Sequence, residues 1–223
     1  MTESELKYRR VLLKLGGESL AGDRSFGIDP DSVTALATRI VAAHKLGIEL
    51  AIVVGGGNFW RGGENSDINR ATADYIGMLG TVMNALALQE AIERLDVPSR
   101  VQTAIEMREV AEPYIRRKAM AHLADGRIVI FAAGSGNPYF TTDTAGALRA
   151  MEIGADALLK ATKVDGAYTD DPMTNPNATR IDHITYLEAL NNGLKILDAT
   201  AFSLCMDNNL PIVVFRLEDP GSL

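Results

Sequence analysis

The sequence has little of what export, membrane insertion or nucleic-acid binding would require. It has one cysteine, Cys205, so no internal disulfide can form, and its apolar neighbours indicate a buried structural thiol in a reducing compartment. No apolar run approaches the roughly 18 residues of a membrane span, and the N-terminal MTESELKYRR is charged where a signal peptide is apolar. The net charge of −7 comes with no Lys/Arg tract for DNA or RNA. We therefore expect a cytoplasmic protein with neither a membrane nor a nucleic acid as partner.

Two nucleotide-binding motifs and any metal-ligand spacing are also missing. The pattern G-x-x-x-x-G-K-[ST] does not occur, and neither glycine cluster completes G-x-G-x-x-G, which excludes a P-loop enzyme and an evident Rossmann dehydrogenase. His44, His122 and His183 lack metal-ligand spacing, so we assign them structural roles and predict no protein metal site. Any nucleotide chemistry must therefore use a different set of loops.

Short apolar runs alternate with longer helix-like stretches in this chain of 223 residues, 47% of them hydrophobic. The runs are residues 10–15, 49–54, 127–131, 157–160 and 211–215. Most are apolar on both faces, as the strands of a parallel sheet covered on both sides are. The alternation predicts a doubly wound α/β sheet with right-handed crossovers, and the length predicts one domain over residues 1–223.

Two of the intervening stretches carry clear helix signals. Asp29 and Pro30 have the types expected at an N-cap and at the first helical position, and we place Gly47 just after the C-cap of the same helix. Residues 71–95 are apolar around most of the helical circumference, which predicts a long and largely buried helix.

Four polar or glycine-rich loops each follow a predicted strand, at residues 14–17, 55–58, 134–137 and 162–166. In a parallel sheet such loops emerge at the same carboxyl edge, where open α/β folds bind ligands. Glycine lets backbone N–H groups approach phosphate oxygens, although a single glycine-rich turn is equally well explained by tight turn geometry. Four of them at one edge favour phosphate binding.

Basic residues accompany these loops. Lys14 ends the first strand, Arg61 follows the triple glycine and Lys163 lies in the fourth loop. A transferring phosphoryl group spreads negative charge over its oxygens, so cations and backbone N–H groups lower its barrier. Each cation alone would more simply be a solvated surface charge. Their position beside glycine loops favours phosphoryl transfer.

Asp143 stands where the third loop leads into a helix. On its own it fits a helix-start residue. Beside a phosphate loop and near Lys14 and Lys163, a carboxylate can also hold lysines or a metal ion in position. A general base is not required, because a monophosphate acceptor has a second pKa of about 6 and is largely deprotonated at neutral pH.

Six motifs, in this order and spacing, resemble the bacterial-type uridylate (UMP) kinases of the amino-acid-kinase superfamily over nearly the whole chain. They are KLGGESL, VVGGGNFWRG, ADYIGMLGTVMNALALQ, GSGNPYFTTDTA, KATKVDGAYTDDP and DATAFSLCMDNNLPIVVF. The resemblance implies an α/β fold, a three-layer α/β/α sandwich around a mainly parallel sheet. It also implies transfer of the γ-phosphoryl of Mg-ATP to UMP, giving UDP and ADP in pyrimidine biosynthesis, by a homohexamer.

The resemblance also implies roles for individual residues. Those placed on the ATP phosphates are Lys14, Leu15, Gly16, Gly17, Gly57 and Arg61, and those placed on the adenosine are Thr162, Tyr168 and Asp171. Those placed around UMP are Gly56, Asp74, Ser135, Gly136, Asn137, Pro138, Tyr139, Phe140, Thr141 and Thr142. The implied catalytic set is Lys14, Arg61, Asp143 and Lys163.

Regulation follows from the same resemblance, with GTP as an activator and UTP as an inhibitor that competes for the UMP pocket. The GTP site is placed between subunits, near Arg100 and Arg127 at the starts of two strands. For each arginine a solvated strand-end charge is an equally good explanation. The loop assigned to transmit the effect is Gly22, Asp23, Arg24, Ser25, Phe26 and Gly27.

The sequence departs from the family pattern in its first loop, where Gly16 replaces the usual serine, and its relatives continue for roughly a dozen residues past Leu223, which we expect to finish an edge strand. Two other functions stay open. A kinase of the same fold acting on a carboxylate or carbamate would need a cationic pocket, and a nucleotide-sensing subunit would bind UTP or GTP without turnover. Asp74 and the segment Asn137-Pro138-Tyr139 favour a nucleotide acceptor over the first, and the retained lysines with Asp143 argue against the second.

Overall fold

The computed structural model describes residues 6–61, 67–194, 196–219 and 221–223. Seven strands form one sheet: β1 Arg10–Leu15, β2 Glu49–Val54, β3 Ser99–Thr103, β4 Glu112–Pro113, β5 Ile128–Ala132, β6 Ala157–Thr162 and β9 Ile212–Arg216. Their order is β4-β3-β5-β2-β1-β6-β9, and every neighbouring pair is parallel. Two short strands, β7 Ala167–Tyr168 and β8 Arg180–Ile181, form a separate antiparallel pair.

Helices cover both faces of the sheet. They are α1 Pro30–His44, α2 Arg70–Glu93, α3 Arg116–Ala124, α4 Thr142–Ile153, α5 Tyr186–Asn191 and α6 Ala199–Asp207, with a 3-10 turn at Gly17–Leu20. Leu13 packs with α1 and α2 in one buried cluster, whereas its neighbour Leu12 packs with α3, α4 and α6 in the other. Because alternate strand residues face opposite sides, the two clusters make the predicted α/β/α sandwich.

The predicted strands are confirmed with small shifts. β1 and β2 have the predicted bounds, β5 and β9 are shifted by one residue, and β6 is longer by two. β3, with the sequence SRVQT, was indicated only by Arg100 near its start, because it lacks a continuous apolar run. Its burial between β5 and β4 comes from tertiary position rather than from local sequence.

The start of α1 is as predicted, and its end differs by one position. The Asp29 side chain accepts a hydrogen bond from the Ser32 backbone N–H at 2.9 Å, and Pro30 is the first helical residue. The C-cap is Lys45, so Gly47 lies two residues beyond it, with φ of 93°. The left-handed conformation there explains the glycine.

The helix α2 is less buried than its composition predicts. Met78 and Leu88 lie in the core, but Tyr75, Leu79 and Met83 are each 45% exposed. These three residues are spaced by four and form one apolar stripe on the outer face, which we call the α2 stripe. An apolar composition around the helix therefore does not mean burial within one chain.

No helix in the described ranges combines the length and apolarity needed to cross a bilayer. The assignment of residues 1–223 to one domain stays a prediction.

Candidate active site

The loops that follow β1 and β2 are in contact at the carboxyl edge of the sheet. A Cβ atom added to Gly17 would lie 2.8 Å from the Gly57 backbone nitrogen and 2.9 Å from the Gly55 carbonyl oxygen. Real side chains essentially never approach that closely, so glycine is needed here for the two loops to meet. The prediction that these loops share one edge is confirmed.

At this edge one carboxylate pairs with two lysines. Asp143 Oδ1 lies 2.9 Å from Lys14 Nζ, and Asp143 Oδ2 lies 2.8 Å from Lys160 Nζ. Lys14 and Lys160 are partners in the parallel register of β1 and β6, so their side chains leave the same face of the sheet. Asp143 stands in the first turn of α4, which packs on that face. We call these three residues the ion triad.

The electrostatics of the ion triad keep Asp143 ionised. Burial disfavours its charged form, but the two lysines outweigh burial and hold the pKa of Asp143 below its ordinary value. Each of the three side chains is 14 to 17% exposed. Two partly buried ammonium groups are thus held side by side, which suits the binding of phosphate oxygens.

The second lysine of the triad is Lys160, which the sequence interpretation missed, and not Lys163. Lys163 is exposed in the loop after β6. Lys160 also donates a hydrogen bond to the Ile196 carbonyl at 2.7 Å. The available signal was its spacing of two from Leu158, which is buried on the α4 side of the sheet. A catalytic role for Lys163 stays a prediction.

A second carboxylate, Asp198, fixes the start of α4. The Thr141 hydroxyl oxygen accepts the backbone N–H groups of Asp143 and Thr144 at 3.1 and 3.2 Å as the N-cap. The Thr141 and Thr144 hydroxyls both donate to Asp198, which in turn accepts the Ala201 N–H at the start of α6. The Thr141 hydroxyl is therefore engaged in helix capping, and its contact with UMP stays a prediction.

Glu18 lies over the glycines assigned to the phosphates. Its carboxylate oxygens lie 2.7 Å from the positions that a Cβ atom would take on Gly16 and on Gly57. Arg61 Nη2 is 2.6 Å from Glu18 Oε1, and both side chains are about half exposed. A phosphate bound against these glycines would therefore require the Glu18 side chain to move aside.

The loop assigned to UMP has an unusual backbone. Ala133, Gly134, Gly136 and Tyr139 all have left-handed φ angles, between 56° and 80°. For Ala133 and Tyr139 this conformation costs free energy, so the surroundings must hold it in place. The side chains of Tyr139 and of the next residue, Phe140, are exposed.

The helix α2 supplies anchors for this loop. The buried Thr81 hydroxyl oxygen accepts the Ala133 N–H at 2.7 Å, and Asp74 accepts the Tyr139 N–H at 2.8 Å. Asp74 also forms an ion pair with Arg70 at 2.9 Å. Gly56 packs against the same helix, because a Cβ atom there would lie 2.4 Å from the Gly77 carbonyl oxygen.

A cavity of about 540 Å³ opens beside the ion triad. Thr162, Tyr168 and Asp171, all assigned to adenosine, line it together with Lys160. Its apolar lining includes Ile196 and Val214 from the neighbouring segments. This size and mixed lining match those of small-molecule sites.

The residues assigned to GTP fall into two groups at opposite edges of the sheet. Arg100 and Arg127 are at the amino ends of β3 and β5, where Arg127 lies 2.9 Å from His122 Nδ1. The loop 22–27 lies at the carboxyl edge, where the Gly27 N–H bonds the Asn58 carbonyl at 2.9 Å. Within one subunit the loop therefore lies at the other edge of the sheet from the arginines, and the assignment of both groups to GTP stays a prediction.

A parallel α/β/α sandwich with paired lysines and touching glycine loops at its carboxyl edge defines a phosphate-handling protein. Residues 9–216 match the Amino acid kinase family, and the chain belongs to that family. It resembles the UMP kinase from Bacillus anthracis at 40% identity and a TM-score of 0.92, covering 96% of this chain and 89% of that one. It also resembles the UMP kinase from Ureaplasma parvum at 37% identity and a TM-score of 0.91, covering 96% and 92%.

Replacing Asp143 with asparagine leaves two partly buried lysines without their counter-charge. We expect Asp143→Asn to lower the free energy of unfolding at neutral pH by about 3–5 kcal/mol. Because the pKa of Asp143 is lowered in the folded state, the contribution of its charge is present at neutral pH and is lost as the pH falls through that pKa. Urea unfolding at several pH values measures this difference, which should shrink in acid. The exposed Asp207→Asn is the matched control, and a variant as stable as the wild type at neutral pH would contradict the assignment.

Proposed function

We propose that the chain is a UMP kinase that transfers the γ-phosphoryl group of ATP to UMP, giving UDP and ADP in pyrimidine biosynthesis. The observation that carries the proposal is the ion triad beside a nucleotide-sized cavity, in a chain 37 to 40% identical to two UMP kinases. A cytoplasmic location is part of the same proposal.

The donor nucleotide occupies the cavity next to β6. The adenosine lies against Tyr168 and Thr162, and the phosphates extend from there towards Lys160, which lines the cavity and also belongs to the ion triad. The glycines of the first two loops then offer backbone N–H groups to the phosphates. This path leads from the cavity to Lys14 without leaving the carboxyl edge.

The chemistry needs charge stabilisation rather than a general base. The UMP phosphate, with a second pKa of about 6, is already a nucleophile at neutral pH. The ammonium groups of Lys14 and Lys160 balance the charge that develops on the transferring group, and Asp143 holds them side by side and oriented. Arg61, once released from Glu18, adds a further cation.

Magnesium enters with ATP. No group of three or more His, Cys, Asp or Glu residues among the described positions is arranged to hold a metal ion. Mg²⁺ in kinases needs no such cage, because one or two carboxylates and the substrate phosphates suffice. Asp143, beside the proposed phosphates, is a carboxylate that would hold the ion, and the ion would supply further neutralisation of their charge.

The acceptor lies against the left-handed loop and α2. Gly56, Asp74 and the residues from Ser135 to Thr142 surround it, with Asp74 holding the loop through the Tyr139 N–H. UTP, which has the same uridine, inhibits by occupying this pocket and extending its phosphates towards the donor site.

The α2 stripe supports a homo-oligomer, which we propose to be a hexamer. Tyr75, Leu79 and Met83 are each 45% exposed and follow one another at intervals of four along the outer face of α2. Such surfaces on soluble proteins mark interaction sites. A second copy covering the stripe would also touch the helix that anchors the acceptor loop.

An assay of ADP release tests the acceptor. Across UMP, CMP, GMP, AMP, acetylglutamate and carbamate, we expect UMP to be used with a preference of about 10⁴-fold over CMP. A site that hydrogen-bonds the carbonyl of uracil leaves its own groups unpaired against the amino group of cytosine.

In the same assay, Lys14→Ala should lower turnover with UMP by about 10²–10³-fold, whereas Lys45→Ala, at an exposed position, is the control and should not. Equal turnover of CMP and UMP, or a preference for carbamate, would refute the proposal.

GTP activation is proposed to act through the amino edge of the sheet. A cleft of about 770 Å³ lies beside β3 and β4, where it is lined by Arg100, Arg108 and Lys118 together with Glu93, Glu109 and Glu112. Glu112 contacts His122 at 3.0 Å, and His122 contacts Arg127, so Arg127 is linked to the cleft. The three basic side chains that line the cleft would hold a polyphosphate, which would displace Arg100 from its ion pairs with Glu93 and Glu112.

Arg127→Ala should therefore remove GTP activation while leaving the basal rate unchanged, since the coupling requires a second site with its own free energy. The measurement is the rate as a function of UMP with and without GTP, and the exposed Arg94→Ala is the control. A wild type that shows no GTP dependence, or an Arg127→Ala variant that responds normally, would end this part of the proposal.

A further inference from the structure

Two buried asparagines behind the glycine loops form a closed pair. Asn58 is 5% exposed and Asn84 is fully buried. Asn58 Nδ2 donates to Asn84 Oδ1 at 2.9 Å, and Asn84 Nδ2 donates to Asn58 Oδ1 at 2.7 Å. Neither residue is among those assigned to ATP or UMP.

The remaining N–H group of each amide bonds a loop backbone. Asn84 Nδ2 donates to the Gly55 carbonyl at 2.7 Å, and Asn58 Nδ2 donates to the Gly27 carbonyl at 2.8 Å. Each side-chain amide has two N–H donors, so all four donors of the pair are used. The orientation of both amides is thereby determined by their partners.

The pair therefore connects four parts of the chain. Gly55 begins the second glycine loop, and Gly27 ends the loop 22–27. Gly17 of the first loop packs against Asn58, because a Cβ atom on Gly17 would lie 2.4 Å from Asn58 Oδ1. Asn84 belongs to α2, which also anchors the acceptor loop through Thr81.

Burying two amides is costly unless every donor and acceptor is satisfied. Apolar side chains could fill the same space but would not fix the position of a loop carbonyl. A fully satisfied polar network allows one arrangement of the loops and penalises others.

We propose that Asn58 and Asn84 are positioning residues that hold the two glycine loops in the geometry that binds the phosphates of ATP. The inference rests on the proposed binding of ATP phosphates by these loops. Asn84 is the better test position, because it lies on α2 behind the loops and its side-chain hydrogen bonds within the described ranges go to Asn58 and the Gly55 carbonyl.

The variant Asn84→Asp has nearly the same shape but loses the two donors. Its carboxylate would face the Gly55 carbonyl and Asn58 Oδ1, both of which are acceptors. Burial raises the pKa of such a carboxyl group. Protonation restores one donor, so the geometry of the loops should recover in part as the pH falls.

Binding of the Mg²⁺ complex of a non-hydrolysable ATP analogue, measured by calorimetry between about pH 6 and pH 9, tests the proposal. We expect Asn84→Asp to bind the analogue about tenfold or more weakly than the wild type at the alkaline end, because small misplacements of a binding group are costly. The ratio of the two affinities should approach one towards pH 6. Asn84→Ser, whose side chain cannot titrate, should bind the analogue more weakly than the wild type at every pH. It replaces Asn84→Asp as the test variant if Asn84→Asp does not fold.

Two controls separate positioning from general destabilisation. Leu88→Ala removes buried volume one turn further along α2 and should lower the Tm while leaving analogue affinity at the wild-type value. Asn208→Asp introduces the same charge at an exposed position and should leave the analogue affinity unchanged, although it removes the hydrogen bond from Asn208 Nδ2 to the Leu204 carbonyl at the end of α6. Wild-type affinity in the Asn84 variants, a pH-independent ratio in Asn84→Asp, or an equal loss in Leu88→Ala would overturn the proposal.

This measurement is independent of the acceptor. A wild-type protein that binds the ATP analogue but does not phosphorylate UMP would refute the proposed function and leave the positioning role open to the same comparison. Failure of the wild type to bind the analogue at all would overturn both.

Discussion

The active-site edge of the structure depends on one electrostatic constraint: two lysine ammonium groups on neighbouring parallel strands must share a counter-charge. Lys14 and Lys160 are in register, so without a counter-charge their ammonium groups would repel each other in a partly buried site. Asp143 meets both, and the start of α4 must therefore stand over β1 and β6. Thr141 and Asp198 secure that start and tie it to α6.

Around this triad, the shape of the site is set mainly by close contacts between backbone segments. Gly17 and Gly56 are needed because loop meets loop and loop meets helix too closely for any side chain. Such close approach allows backbone N–H groups to face a ligand, but it also leaves the loops with few side chains of their own to hold them. Inward-facing polar residues of α2, namely Asn84, Thr81 and Asp74, fill that role, while its outer face carries the exposed apolar stripe.

The sequence predicted most of the sheet because strands covered on both faces are continuously apolar, as 49–54 is. It indicated β3 only through Arg100, because the polar residues of this strand are buried by their position in the sheet. Lys14 and Asp143 were identified from the sequence of their loops, but Lys163 was predicted in the place of Lys160. The lysine that lies beside Lys14 is determined by the order of the strands, which the local sequence does not show. The Asn58–Asn84 pair carries no sequence signal, since the pairing of residues 26 apart depends on where α2 packs.

The central claim is that the ion triad directs two ammonium groups at the transferring phosphoryl group. A crystal structure of the chain with ADP, aluminium fluoride and UMP tests it most directly, because the fluoride complex occupies the place of that group. The account predicts that Lys14 Nζ and Lys160 Nζ lie within hydrogen-bond distance of the phosphate or fluoride atoms while Asp143 stays between them. A complex in which the fluoride group lies away from both lysines would contradict it.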